Sequence, residues 1–97
     1  MNQIKITKPS PEAQKKLGLP PKPQRLGPWS VWTCEPSTFD WQYSDKEVCY
    51  VYEGHVKVKT KDQEVEIGKG DLVTFPKGLS CTWKVIEPIR KVYKFEP

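Results

Sequence analysis

A chain of 97 residues, 36% of them hydrophobic, carries 16 Lys and Arg against 12 Asp and Glu, a net charge of +4. Such a chain is expected to make one domain that buries about 60–65% of its unfolded surface, with no room in these residues for a second catalytic domain. No apolar run is long enough for a membrane span or the core of a signal peptide, and the three cysteines lack any C-x-x-C spacing, which argues against a disulfide framework or a zinc ribbon.

A reducing, intracellular setting follows, cytoplasmic in the first instance; the scarcity of Arg and Ser near the N terminus gives no sign of an organelle transit peptide. In chain order, Ile4 and Ile6 alternate as in a short strand. Ser10, Pro11 and Glu12 read as N-cap, first helical residue and first-turn acid of one or two helical turns that end at Gly18. Six of the ten prolines fall in residues 1–28, so "KKLGLPPKPQRLGPW" reads as an extended connector. Residues 1–28 are thus expected to be an arm that wraps a barrel or a partner subunit, and 29–97 the barrel itself.

From Trp29 onward the chain is a succession of short runs rich in Val, Tyr, Trp, Phe and Thr. Strands are predicted near 29–34, 38–43, 47–53, 55–60, 63–67, 71–75, 80–86 and 89–95. Strands at that density predict an all-β sandwich or barrel, which also hides sheet edges. In "HVKVKTKD" Lys57, Lys59 and Lys61 alternate with Val56 and Val58, the period of a half-buried strand showing its lysines to water. No nucleic-acid partner and no membrane partner is expected from this charge, because no recognition motif accompanies it.

The stretch "GDLVTFPKGLSCTW", Gly70 to Trp83, is punctuated as a hairpin by Gly70, Pro76 and Gly78. Its Gly-(x)5-Pro-x-Gly spacing follows an earlier Glu-(x)6-Gly spacing, Glu47 to Gly54 in "EVCYVYEG". The pair resembles the two signature hairpins of the cupins. The runs "FDWQYSDKEVCYVYEGHVKV", "KGDLVTFPKGLSCTWKV" and "EPIRKVYKF" are further similar to the small single-domain cupins related to ureidoglycine aminohydrolase and the ethanolamine-utilisation cupins, over roughly residues 29–95. The resemblance implies an RmlC-like double-stranded β-helix, a jelly-roll barrel, with ureide or nitrogen metabolism as one setting and homodimers as one assembly.

The chain departs from the metal-binding members of that family. Trp41 and Tyr43 stand in the positions of their His-x-His, Cys81 and Val85 in those of the second signature's His and Asn, and Glu35 where the first signature opens with Gly. Only Glu47 remains of four ligands. The single histidine, His55, follows Gly54 at a turn and is expected on the surface, so a three-histidine site cannot be built. A spacing of four nominates Asp40 and Gln42 as oxygen ligands, but on the opposite strand face from Trp41 and Tyr43. No metal cofactor is therefore expected; the alternative is an ion recruited by Glu47, Cys81 and oxygen ligands.

Strand alternation predicts the lining of the barrel mouth. If Glu47 faces inward, so do Cys49 and Val51; if Cys81 does, so do Trp83 and Val85. Together with Trp41 and Tyr43 they form an aromatic cup holding one carboxylate and two thiols, suited to a small, flat, partly apolar ligand. Glu47 is either a general acid–base or a structural carboxylate hydrogen-bonded by Tyr43 or an indole N–H. Cys81 is either a nucleophile or filler, with Cys49 more readily filler, since a buried thiol among aromatic rings tends to inertness. In "PIRKVYKF" either Arg90, Val92 and Lys94 or Lys91, Tyr93 and Phe95 face inward, and a base there would partner Glu47 or an anionic ligand, the alternative being a base that snorkels to the surface. Trp29 and Trp32 are assigned to core or interface ahead of the alternative, ligand contacts. Three functions are open: a small-molecule-binding cupin with acid–base chemistry at Glu47, a metal-dependent cupin enzyme, and a non-catalytic homodimeric module.

Overall fold

The computed structural model describes residues 3–96. Their order is β1 (Lys5–Thr7), α1 (Pro11–Lys16), β2 (Ser30–Cys34), β3 (Ser37–Gln42), β4 (Lys46–Lys59), β5 (Glu64–Gly68), β6 (Leu72–Phe75) and β7 (Ser80–Glu96), with every strand pair antiparallel. The architecture is the expected jelly roll. Two of its strands are longer than the sequence pattern predicts: 47–53 and 55–60 are one strand, β4, and 80–86 and 89–95 are another, β7.

The two run as a ribbon, pairing from Lys46↔Glu96 to Lys59↔Thr82, and fold over in the middle. The first half of β4 and the second half of β7 take β6, β1 and β2 as neighbours; the remaining halves take β5 and β3. The corner is marked by register shifts between Val51 and Val56. Gly54 sits there with φ of +109°, and a Cβ at that position would lie 2.5 Å from the Pro88 carbonyl oxygen and 2.6 Å from Ile89 Cα. The close crossing of the two strands therefore requires glycine. Gly54 is a crease in a continuous strand and not the turn of a hairpin.

The Gly70–Trp83 stretch is likewise not a hairpin. β6 pairs with β1 and β4, whereas the start of β7 pairs with β3 and the far half of β4, so Pro76-Lys77-Gly78 carries the chain from one half of the barrel to the other. Gly78, at φ of +85°, donates its N–H to the Tyr43 carbonyl at 2.7 Å, and the Leu79 carbonyl accepts from the Tyr43 N–H at 2.9 Å. This arch pins the loop between β3 and β4 to the barrel rim.

Alternation on β4 divides two apolar clusters. Cys49, Val51, Val56 and Val58 join Tyr43, Ile67, Val73, Phe75, Trp83 and Ile89 in the interior. Val48, Tyr50 and Val92 point outward and pack with the fully buried Trp29 against Leu17 and Leu19 of the arm. Trp29 Nε1 donates to the Leu17 carbonyl at 3.1 Å, and the Tyr52 hydroxyl donates to the Pro20 carbonyl. The arm thus wraps its own barrel, and β1 adds to the edge at β6. Ser10 caps α1 as expected, its Oγ accepting from the Ala13 N–H. No helix among the described residues is long and apolar enough to cross a membrane.

Candidate functional site

Interior positions on β2, β3, β4 and β7 converge on a cavity of about 470 Å³. Of the two registers open for the last strand, β7 turns Lys91, Tyr93 and Phe95 inward, because Val92 belongs to the outer cluster under the arm. Glu47 lies on β4, the strand paired directly with this half of β7, where it stands opposite Phe95. Lys91 Nζ donates to Glu47 Oε2 at 2.9 Å, with both residues only 5% exposed. This ion pair is the polar centre of an otherwise aromatic cup.

Rings enclose the ammonium. Trp32 is the direct cross-strand neighbour of Lys91, its centroid 5.0 Å from Nζ; Trp83 approaches from the other half of the barrel to 4.7 Å, with Tyr93 at 5.8 Å and Phe75 at 6.0 Å. Removing two ions from water costs several kcal/mol apiece, of the order that Coulomb attraction and ring quadrupoles must offset. Burial on its own pushes the Lys91 ammonium down. The acidic groups of Cys49 and Glu47 and the hydrogen bond to Glu47 outweigh it, and the ammonium is held above its ordinary value.

Tyr43 lies face to face with Phe75, centroids 4.6 Å apart, and its hydroxyl oxygen accepts from Trp83 Nε1 at 3.2 Å. Burial, then the neighbouring Glu47, Cys81 and Cys49, raise the phenol well above its usual range, so it keeps its proton. Among the described residues that proton has no hydrogen-bond acceptor, and Glu47 Oε1 has no donor. The cup therefore presents one hydroxyl donor, the further N–H bonds of Lys91 and one free carboxylate oxygen. Trp41 and Phe95 stand at its rim, 51% and 47% exposed.

Of the residues nominated from sequence, Glu47, Trp41, Tyr43, Trp83, Lys91 and Tyr93 meet at this cavity. Cys49 and Cys81 do not border it. Cys49 is fully buried, and burial pushes its thiol up to about 12. Cys81 packs into the core as the cross-strand neighbour of Trp41 and borders a separate open groove with Asp40, Gln42 and Lys59; burial pushes its thiol up to about 11. Trp32, assigned above to core or interface, lines the cup instead, because β2 pairs with the inward half of β7. Phe39, Phe95 and Cys34 complete the lining. Phe39 was reachable by carrying the Trp41–Tyr43 alternation one step back; Trp32 required knowing which strand β2 pairs with.

The donor set does not fit a cupin metal ion. Among the described residues no group of three His, Cys, Asp or Glu side chains converges. His55 pairs with Glu66 at 2.9 Å on the outside, Asp40 accepts from the Thr82 hydroxyl away from the cup, and a lysine ammonium already sits 2.9 Å from Glu47.

A family model for the EutQ-like cupin domain matches residues 22–93. Among solved structures, a DUF861-family protein of Thermotoga maritima is 48% identical with a TM-score of 0.87, covering 97% of this chain and 100% of that one. The EutQ protein of Clostridium difficile is 26% identical with a TM-score of 0.66, over 71% of this chain and 55% of the longer one. A putative ethanolamine utilization protein Q of Salmonella typhimurium, at 18% identity and a TM-score of 0.60 over 93% of this chain and 66% of that one, shares the fold. No curated protein gave a match. With three-quarters of its length matched by the family model and a near-complete structural relative at 48% identity, the chain belongs to the EutQ-like cupin family.

Proposed function

We propose that this cupin binds a small, planar, uncharged organic molecule in the aromatic cup, with Lys91 and Tyr43 donating to a carbonyl-type oxygen and Glu47 Oε1 accepting from the same ligand. The observation that carries the reading is the Lys91–Glu47 pair, sealed on one side by rings and open on the other to about 470 Å³. A ligand carboxylate placed on Lys91 would lie against Glu47, and a ligand cation would meet Lys91, so the pair favours neutral partners. The ring-lined wall favours flat ones.

Acid–base chemistry fits the same geometry. Lys91, held above its ordinary value, polarises the bound carbonyl as a hydrogen-bond donor, and Glu47 Oε1 takes or returns a proton on the ligand. Three free cysteines support a reducing, cytoplasmic setting. The lysines of β4 face acids across the ladder, Lys57 opposite Glu66 and Lys59 opposite Glu64, which weakens any basic stripe for nucleic acid.

The test is a fragment panel of similar shape and different charge: benzamide, benzoate and benzylamine, followed by indole fluorescence and amide chemical shifts. Benzamide is expected to perturb Trp32 and Trp83, with benzoate and benzylamine roughly tenfold weaker, and Glu47→Gln to remove that preference. A panel that leaves these indoles unmoved, or a preference for benzoate, would sink the reading.

A further inference from the structure

The interior of this barrel already contains a cation, and it is covalently attached. We propose that the Lys91 ammonium is the permanent cation of the cup, a tethered charge that partners Glu47 and closes the site to divalent metals. The inference rests on reading the cup as the functional site, but its test requires no substrate.

Three independent features carry it. The first is position: Glu47 is the one ligand kept from the metal-binding cupin pattern, and Lys91 Nζ lies 2.9 Å from its Oε2. The second is enclosure. Trp32, Trp83, Tyr93 and Phe75 lie 4.7–6.0 Å from Nζ, a cage whose ring faces attract a cation yet offer no lone pair to a metal. The third is donor chemistry, since Trp41 and Tyr43 replace the His-x-His pair, and Tyr43 accepts from Trp83 Nε1 and retains its own proton. A divalent ion at Glu47 would need to displace a buried ammonium and would find one carboxylate and a ring of π faces.

A fixed ammonium differs from an ion in what it permits. A metal binds two or three ligand atoms at once and exchanges them, whereas an ammonium presents N–H donors along a few directions and cannot dissociate. The cup thus takes molecules by a single acceptor oxygen rather than by chelation, and it needs no metal loading to acquire its charge.

The experiment replaces the tether by a free ion. Lys91→Ala removes everything beyond Cβ, and n-propylammonium supplies those atoms. It is expected to raise the melting temperature of Lys91→Ala by about 4–8 °C, while leaving wild type and Glu47→Gln/Lys91→Ala unmoved, with sodium chloride at equal ionic strength as control. Wild type incubated with manganese, zinc or nickel and then dialysed is expected to retain less than a tenth of an equivalent by elemental analysis. Should Lys91→Ala fail to fold, wild type and Glu47→Gln still decide: the ε-methylene protons assigned to Lys91 must appear displaced upfield by ring currents, and that displacement must collapse in Glu47→Gln while the one of Lys94 over Trp29 persists. Stoichiometric metal in wild type, rescue that persists without Glu47, or Lys91 signals at their free positions would each overturn the proposal.

Discussion

Two lysines three residues apart on β7 make nearly the same contacts on opposite faces of the barrel wall. Lys91, inside, sits 5.0 Å from the Trp32 centroid and pairs with Glu47; Lys94, outside, sits 5.0 Å from the Trp29 centroid and pairs with Glu96. What separates them is water: the Lys91 side chain is 6% exposed and that of Lys94 24%. An ion pair in contact with solvent is replaceable by solvent, so its loss is cheap, whereas the interior pair leaves an orphaned charge when either member is removed. Similar contacts therefore predict dissimilar energies, and the arm side of the wall stands to the cup side as scaffold to site.

The sharpest way to break this contrast is to delete the ammoniums one at a time. Lys91→Met is expected to lower unfolding stability by about 3–5 kcal/mol in denaturant titrations, with Glu47→Gln/Lys91→Met recovering much of it, because the double change removes both charges. If the single and double variants lose the same amount, the pair is not the source of the cost. Lys94→Met marks the other end of the scale.

The interior thiols offer a second measure of the same dryness. At pH 8 in native buffer, alkylation is expected at Cys34, the partly exposed cysteine, with Cys81 and Cys49 slower by about a hundredfold or more, since burial raises them from an ordinary 9.0 to about 11 and about 12. Mass spectrometry of intact protein reads the number labelled, and denaturant should release all three. The same shifts fix the sign of the alkaline limb. Above pH 9 the unfolded chain loses thiol protons that the folded chain keeps, so stability falls as pH rises toward about 11–12. Lys91 adds to the fall in the same direction, because an ammonium held above its ordinary value stabilises the fold below that value and ceases to do so as it is titrated.

On the outer face, Trp29→Phe removes the indole N–H that holds the Leu17 carbonyl and is expected to lower stability by about 1 kcal/mol. Faster hydrogen exchange at Leu17, Gly18 and Leu19, with the cup signals unchanged, would show the arm loosening alone. Lys94→Met is expected to change stability by less than about 1 kcal/mol, and by less still at high salt. A loss comparable to that of Lys91→Met would erase the inside–outside distinction altogether.

Much of this molecule could be read from its sequence because the relevant signals are local. The β-rich run after Trp29, the Ser10 cap, the proline-rich arm and the inward row of Trp41 and Tyr43 follow from alternation and turn chemistry within a few residues. What stayed hidden depends on pairings distant in sequence. Two apolar runs joined at Gly54 look like two strands, and only the crossing of β7 at Pro88 shows one strand with a crease. Lys91 against Lys94 was a choice between two registers that the outer Trp29 cluster decides, and Trp32 entered the cup through Lys91, a partner far along the chain. The thiols were misplaced for a related reason: alternation tells which face a side chain takes, not whether other side chains stand between it and the opening.

The creased ribbon also governs how the chain reaches its folded state. Ser30 meets Tyr93, Thr38 meets Lys84 and Lys46 meets Glu96, so neither half of the barrel closes until the final strand has found its place between partners threaded much earlier. Such a topology assembles slowly, on a scale of milliseconds to seconds, and all at once. β7 is the latch of the whole molecule, and the residue that completes the charge inside is delivered by the same event that shuts the walls.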